Sequence, residues 1–572
     1  MNNQIRMLEG AALILLMAGL ILRAEPAPVS SSPSTALANV SKFHPTETVA
    51  ERDARMAWWR QAKFGMFIHF GLYAIPADGE WHLRNHKEPL AEYAKLASQF
   101  NPTQFDANEW ARIAHDAGMK YMVFTTKHHD GFANFQTAAS SFNIVDATPF
   151  KRDLVKELSL ACPKYDIRFG TYYSAATDWS HPGGGIHAPS WDPAQAGDLV
   201  TYVKTVAVPQ IHELLTHYGP IAEFWFDSDG FVMTPEGAAL LAKEMDTQPQ
   251  MIIDNRLPGW RGDFGNEEAR ITPLRPKPKG DWEACTTVNG DWGYSPKPAK
   301  PYDVLLRQII DIVSKGGNDL LNVGPNAQGV IPADSVDRLM KIGAWLKVNG
   351  ESIYGTTAGP FDFLSWGSCT RKGDLLYLHV FDWPQDGVLH VPLPQPVAAA
   401  YLLADPSKPL KYESTGGKLL IHLPALAPDP VASVVVIKVS GEPTPLHSLA
   451  WNAPVQASGT DGPKGAEWAV DNDPYTVWKA PQDATSAWLQ VDLGSPTVVG
   501  AVRVGIHRAN LQKFALEYKD GDKWKPIFED VTMPGGIYVK NFPPLSAQVF
   551  RLNVTQAVGQ ISVASFELFP PE

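Results

Sequence analysis

Cysteine is scarce. The chain of 572 residues has three, Cys162, Cys285 and Cys369, too few and too far apart for a disulfide framework or a metal-ligand pattern. They read as small buried hydrophobes. Positive charge is scarce too: 49 Lys and Arg against 61 Asp and Glu leave a formal net charge of -12. That balance excludes a nucleic acid or an anionic membrane as the main partner. Long apolar runs are confined to the N-terminus, where Arg6 precedes an apolar stretch over 11–22 and Ala24 or Ala27 offers a small residue for cleavage. This pattern reads as a secretory signal peptide over residues 1–25. It is too short for a membrane span, which needs about 20 apolar residues. The expectation is an exported protein, periplasmic or secreted, with no membrane span. What the chain has in quantity is aromatic surface, with 18 Trp, 17 Tyr and 25 Phe. Most of it belongs in cores, and the remainder suits flat, uncharged partners such as sugar rings.

Residues 26–50, rich in Pro, Ser and Ala, read as a flexible leader. From 51 to 355 short apolar runs alternate with helical periods. The strand-like runs are FGMFIHFG (64–71), YMVFTTKHH (121–129), RFGTYYS (168–174), IAEFWFD (221–227), MIIDNR (251–256) and NDLLNVG (318–324). Helical spacing marks 105–118, 153–161, 198–219, 236–247, 303–314 and 335–350, although Pro209 must kink or split the third of these. Strand alternating with helix over this length predicts an α/β domain, a parallel sheet closed into an irregular (β/α)8-like barrel with six or seven recognisable strands. Beyond 355 the helical periods stop. Short strands with Pro/Gly turns over 356–440 predict a β-sandwich, 440–448 a linker, and 446–572 a further all-β module.

In a parallel barrel the side chains that meet a ligand lie at the C-terminal strand ends. Read in order, those ends carry His69, then His128 and His129, then Tyr172, Asp227 and Arg256. A period of two puts Glu223, Trp225 and Asp227 on one face of their strand and Ala222, Phe224 and Phe226 on the other. The apolar set suits the outer helices, which leaves Asp227 at the barrel mouth. Asp229, ahead of Gly230, reads as a turn residue. A strand continuing through His128 and His129 would send their rings to opposite faces, unless it ends before them. Glycoside cleavage needs a second carboxyl, one to attack or to activate water and one to protonate the leaving oxygen. Glu267 and Glu268 in FGNEEARITP, Glu283 in DWEACTTV and Glu80 in GEWHLRN are the candidates.

The runs KFGMFIHFGLYAIPADGEW, FTTKHHDGF, GTYYSAATDW, EFWFDSDGF, IDNR, GDFGNEE, WEACTTVNGDWGY and VSKGGNDLLNVGP follow in this order between about 57 and 355. Together they closely resemble the family 29 glycoside hydrolases, the α-L-fucosidases. The resemblance implies a retaining, exo-acting hydrolysis of terminal α-L-fucose from a fucosylated oligosaccharide or glycoconjugate, by double displacement and without a catalytic cofactor. It makes Asp227 the nucleophile and has His69, Glu80, Trp81, His128, His129, Tyr172, Trp225 and Arg256 hold the sugar. For the acid/base it ranks Glu268 first, Glu283 second and Glu267 third. The chain reads Asn266-Glu267-Glu268 where that family commonly has Thr-Pro-Glu.

The segment 446–570, with AVDNDPYTVW, WLQVDLG and a closing SFELF, is similar to the discoidin-like (coagulation factor 5/8 C-type) modules, a group that includes family 32 carbohydrate-binding modules. This likeness implies a jelly roll and a structural calcium ion at Asp471, Asp473, Thr476 and Glu567. Two competing readings belong to other classes: a sugar-binding protein without catalysis, and a metal-dependent amidohydrolase with Zn²⁺ gathered by His69, His128, His129 and Asp227. The missing HxH start and the presence of Tyr172, Trp225 and Arg256 weigh against the metal.

Overall fold

The structure, a computed structural model, describes residues 44 and 46–572 apart from 186–188, 229–231, 261, 269–279, 363, 416, 463–464, 474–475, 507–509, 534–535 and 572. The expected signal peptide, most of the leader, and Asp229 lie outside the described residues. The first described helix, α1 (Val49–Ala62), starts inside the expected leader. Thr48 and Glu51 cap it reciprocally, each side chain on the other's backbone N–H, so a local capping box overrides the composition around it.

Eight strands form one parallel sheet: β1 (Phe64–Ile68), β2 (Tyr121–Lys127), β3 (Arg168–Tyr173), β4 (Glu223–Phe226), β5 (Ile252–Ile253), β6 (Gly265–Glu268), β7 (Trp282–Thr287) and β8 (Asn318–Val323). Their spatial order is β5-β4-β3-β2-β1-β8-β7-β6, and a parallel bridge between Asp254 and Phe264 joins the two end strands into a barrel. Two of the eight strands leave no apolar run in the sequence. β6 reads Gly-Asn-Glu-Glu and is held by its ladder to β7, from Gly265 opposite Trp282 to Glu268 opposite Cys285. FGNEE is therefore largely strand rather than loop, and backbone pairing rather than side-chain burial makes it so.

The period-two alternation holds around the barrel. Phe67, Tyr121, Val123, Tyr172, Trp225, Ile252, Cys285 and Leu320 share an inner core with Met56 and Trp59 of α1. Met66, Ile68, Met122, Phe124, Tyr173, Phe224, Phe226 and Leu321 join the larger core beneath the outer helices. Each such side chain contributes about 1.5–3 kcal/mol when fully buried. The outer helices are α2 (Ala107–Asp116), α3 (Leu154–Ala161), α4 (Val208–His217), α5 (Pro235–Glu244), α6 (Tyr302–Ser314) and α7 (Ala333–Asn349). Pro209 falls in the first turn of α4, after a π-helical turn over Val203–Ala207. There its missing N–H breaks no helical bond.

The next module packs a six-stranded antiparallel sheet against a three-stranded one, with Leu376, Leu378, Leu389, Val391, Ile421 and Val435 between them. The third is all-β, built on two long antiparallel strands over Ala487–Ile506 and Gly536–Val558. Trp345 of α7 donates to Ala432 O at 2.9 Å, and Arg503 of the third module to Asp362 O at 2.7 Å. Among the described residues no helix is long and apolar enough to cross a membrane.

Candidate active site

The barrel strands end around a cavity of about 410 Å³, a volume typical of small-ligand sites. Its walls include His69, Trp81, His128, His129, Tyr172, Trp225, Asp227, Arg256 and Glu268. β2 ends at Lys127, so the two histidines that follow lie past the ladder and both rings face the cavity. Tyr172 faces inward, while Tyr173 points to the outer core and donates to Gln210 Oε1 at 2.7 Å.

Asp227 is the most heavily contacted acid of the cavity. Tyr172 donates to its Oδ2 at 2.5 Å, Arg256 reaches Oδ1 at 3.1 Å, and His129 Nε2 lies 3.3 Å from Oδ2. Burial pushes the Asp227 carboxyl up, but His129, Arg256 and the Tyr172 hydroxyl outweigh it and hold the group below its ordinary value. The other face of His129 meets Ser174 Oγ at 2.5 Å, and that hydroxyl also donates to Thr177 O at 2.7 Å. With Nδ1 turned to Ser174, Nε2 is the nitrogen of His129 that faces Asp227. Burial drives His69 down to about 4, against the hydrogen bond that its Nδ1–H donates to Asn322 Oδ1 at 2.8 Å. His128 is likewise pushed well below its ordinary value by burial and by the neighbouring His129, His69 and Lys127. Two neutral imidazoles, each able to donate and accept, therefore stand beside one charged pair.

The same guanidinium that meets Asp227 donates to Glu268 Oε2 at 2.6 Å, and lies 4.5 Å above the Trp225 ring. Trp225 in turn stacks on Tyr172, centroids 5.6 Å apart at 22°. Asp254 aligns the strands beneath: it accepts from Phe226 N of β4 at 3.1 Å and from Asn266 Nδ2 of β6 at 2.7 Å. Burial raises its carboxyl well above the ordinary value.

Not every expected site residue reaches the cavity. Glu283, the second-ranked acid/base, is fully buried near the start of β7, where it accepts from Tyr121 at 2.5 Å and from Trp225 Nε1 at 3.3 Å. Trp225 lies between it and the cavity contacts just described. Burial raises the carboxyls of both Glu283 and the neighbouring Glu223, and the charge of Glu283 raises Glu223 further; Glu283 does not line the cavity. Glu267 neighbours Glu268 on β6, so the strand period aims it to the other face, and it is absent from the lining. Glu80 is buried, accepts from Gly293 N at 2.8 Å and does not line the cavity, whereas Trp81 does, edge-on to His129 at 5.4 Å.

Phe67, Thr177, Cys285 and Trp292 also line the cavity and were not among the expected residues. Phe67 shares the parity of His69, and Cys285 the parity of Glu283, two positions further up the strand. Trp292 arrives on a loop that no periodicity marks. Gly324 admits that loop: a Cβ there would come within 2.7 Å of Gly293 C and Tyr294 N.

In the C-terminal module Thr476 Oγ lies 2.7 Å from Asp473 O and 2.9 Å from each carboxylate oxygen of Asp471. Its single proton cannot serve all three. Glu567 pairs with the buried Arg503 and lines a small cavity together with Val470 and Asn472, the two neighbours of Asp471.

Comparison with known proteins follows the same residues. A family model described as "Alpha-L-fucosidase" matches residues 31–351, and one for the "F5/8 type C domain" matches 454–567. The tissue alpha-L-fucosidase of Macaca fascicularis is 30% identical over 474 residues, 76% of this chain and 97% of the relative. Among solved structures, alpha-L-fucosidase isoenzyme 1 from Paenibacillus thiaminolyticus is 36% identical with a TM-score of 0.63, covering 68% of this chain and 99% of its own. An alpha-L-fucosidase from Bacteroides thetaiotaomicron, 29% identical with a TM-score of 0.61 over 68% of this chain and 97% of its own, was solved as a trapped covalent intermediate in complex with 2-fluoro-fucosyl fluoride.

Proposed function

The chain belongs to the α-L-fucosidase family of glycoside hydrolases, and from that premise we propose that it is exo-acting and retaining, with Asp227 as nucleophile and Glu268 as acid/base. Its substrate is a fucosylated glycan. The observation that carries the assignment is the Arg256 guanidinium, which holds Asp227 on one nitrogen and Glu268 on another at the cavity rim. Retention requires two carboxyls about 5–5.5 Å apart, and one bridging cation brings two carboxyls close without either being lost to the core.

In the first step an Asp227 oxygen attacks the anomeric carbon while Glu268 gives its proton to the departing glycosidic oxygen. In the second, Glu268 takes a proton from water and the hydroxide oxygen displaces Asp227, so the anomeric configuration is restored. Glu268 must leave Arg256 to reach the leaving oxygen, and its side chain, 47% exposed at the rim, has room to turn. His69 and His128, uncharged, meet the ring hydroxyls, and Trp225 with Phe67 offers the apolar wall that the methyl group of a 6-deoxy sugar needs. No step passes through a metal, and Arg256 at 3.1 Å from Asp227 repels a cation from the His128–His129–Asp227 group.

Release of nitrophenol from 4-nitrophenyl α-L-fucoside tests this. The wild type turns over with the first-formed fucose in the α configuration by NMR. The Asp227→Ala variant loses several orders of magnitude in kcat. A β product, or an Asp227→Ala variant as active as the wild type, removes the assignment.

We propose in addition that the protein acts after export, supported by the pattern of residues 1–25. We also propose that its C-terminal module takes a calcium ion on the oxygens of Asp471, Asp473 and Thr476. Crowded oxygens around one hydroxyl are the donor set of a hard cation. Glu567, which shares a small cavity with Val470 and Asn472 on either side of Asp471, completes the expected set.

A further inference from the structure

Ligating atoms of His, Cys, Asp or Glu gather within 4.8 Å of one another at two places among the described residues. One is the cavity trio His128, His129 and Asp227. The other, Asp78, His82 and His86, is used by nothing in the hydrolysis. His82 and His86 open and close a helix of 5 residues. Their i, i+4 spacing puts both on one helix face, with ring centroids 4.4 Å apart. Asp78 Oδ2 lies 2.8 Å from His86 Nε2 and 3.4 Å from His82 Nδ1. In a tetrahedral zinc site, with bonds of about 2.0–2.1 Å, ligand atoms stand about 3.3 Å apart, so the three donors need only small shifts. The other nitrogen of His82, Nε2, lies 3.6 Å from Glu88 Oε2, a buried oxygen without a hydrogen-bond partner. A carboxylate behind an imidazole is the usual device for orienting a ligating histidine. Asp78 and His86 have side chains 58% and 55% exposed, which leaves the fourth coordination position open to water.

We propose that Asp78, His82 and His86 bind a divalent cation of the zinc class, with Glu88 positioning His82. Two imidazoles and one carboxylate suit Zn²⁺, Ni²⁺ or Cu²⁺ over Mg²⁺ or Ca²⁺. The cation joins the loop before the helix to the helix's far end, across Glu80 and Trp81. It is a staple on the segment that delivers Trp81 to the cavity wall, and it stands independently of which reaction the cavity performs.

Calorimetric titration of the full chain with ZnCl₂ tests it, alongside the His82→Ala/His86→Ala double variant and, as a gentler change, Asp78→Asn. The wild type is expected to bind at a site that both variants weaken by about tenfold or more, and zinc is expected to raise the melting temperature of the wild type but not of the double variant. Unliganded melting curves confirm that the variants are folded. The proposal is overturned if the wild type takes up no zinc at millimolar concentration. It is equally overturned if the double variant binds zinc as the wild type does, which would place the ion elsewhere, the cavity trio included.

Discussion

Asp227 sits where burial favours a neutral acid, yet three partners keep it ionised. The shift is downward, so its carboxylate persists to a lower pH than its ordinary 3.8. The acid limb of kcat/KM that reports its protonation belongs below that value. Folding carries the same sign: this group stabilises the fold above its unfolded value of about 3.9, and the contribution is lost as the pH falls through the lower folded value. Arg256→Ala removes one of the three supports. The acid limb should move to higher pH and kcat/KM should fall by about one to two orders of magnitude, the worth of a charged hydrogen bond. A pH–rate profile of the variant checks both, and an unmoved limb would mean that Arg256 does not tune Asp227.

β4 and β6 carry Asp227 and Glu268, and the two strands are not neighbours in the ladder order. Asp254 spans them through Phe226 N and Asn266. Because burial raises its carboxyl and favours the neutral form, Asp254→Asn is the closest imitation, with the Asn266 amide turned over. Asp254→Ala instead leaves buried donors unpaired at about 1–3 kcal/mol. Denaturant unfolding should show the alanine variant destabilised by that amount and the asparagine variant near wild type, with kcat falling more in the former.

The strands that carry continuous apolar runs, β1 to β5 and β8, were legible in the sequence, and with them the strand-end residues from His69 to Arg256. β6 and β7 were not, because GNEE and WEACTT owe their conformation to pairing in the closed ladder. The rank given to Glu283 shows the same limit. Its parity points inward, but its depth follows from its place near the start of β7, and the sequence does not mark where that strand begins. Trp292 depended on a loop whose path Gly324 and Gly293 permit, a relation between distant segments.

Across the whole molecule, every side chain of the cavity falls between Phe67 and Trp292, while the two β modules dock through contacts such as Trp345 to Ala432 and Arg503 to Asp362. The chemistry and the proposed calcium site are thereby in separate modules. Treatment with the chelator EGTA should leave fucoside hydrolysis unchanged and lower the melting temperature of the protein, and calcium but not zinc should restore it. A loss of hydrolysis that calcium restores would contradict the separation. An unaltered melt would argue against the ion at Asp471, Asp473 and Thr476.

The central claim, that Asp227 forms the bond to the sugar, is most directly tested by mass. Incubate the Glu268→Gln variant with 2-fluoro-fucosyl fluoride, whose fluoride leaves without an acid, and locate the attached sugar by peptide mapping. The account predicts a single label, on Asp227. A label on another side chain, or none while the wild type turns the reagent over, would contradict it.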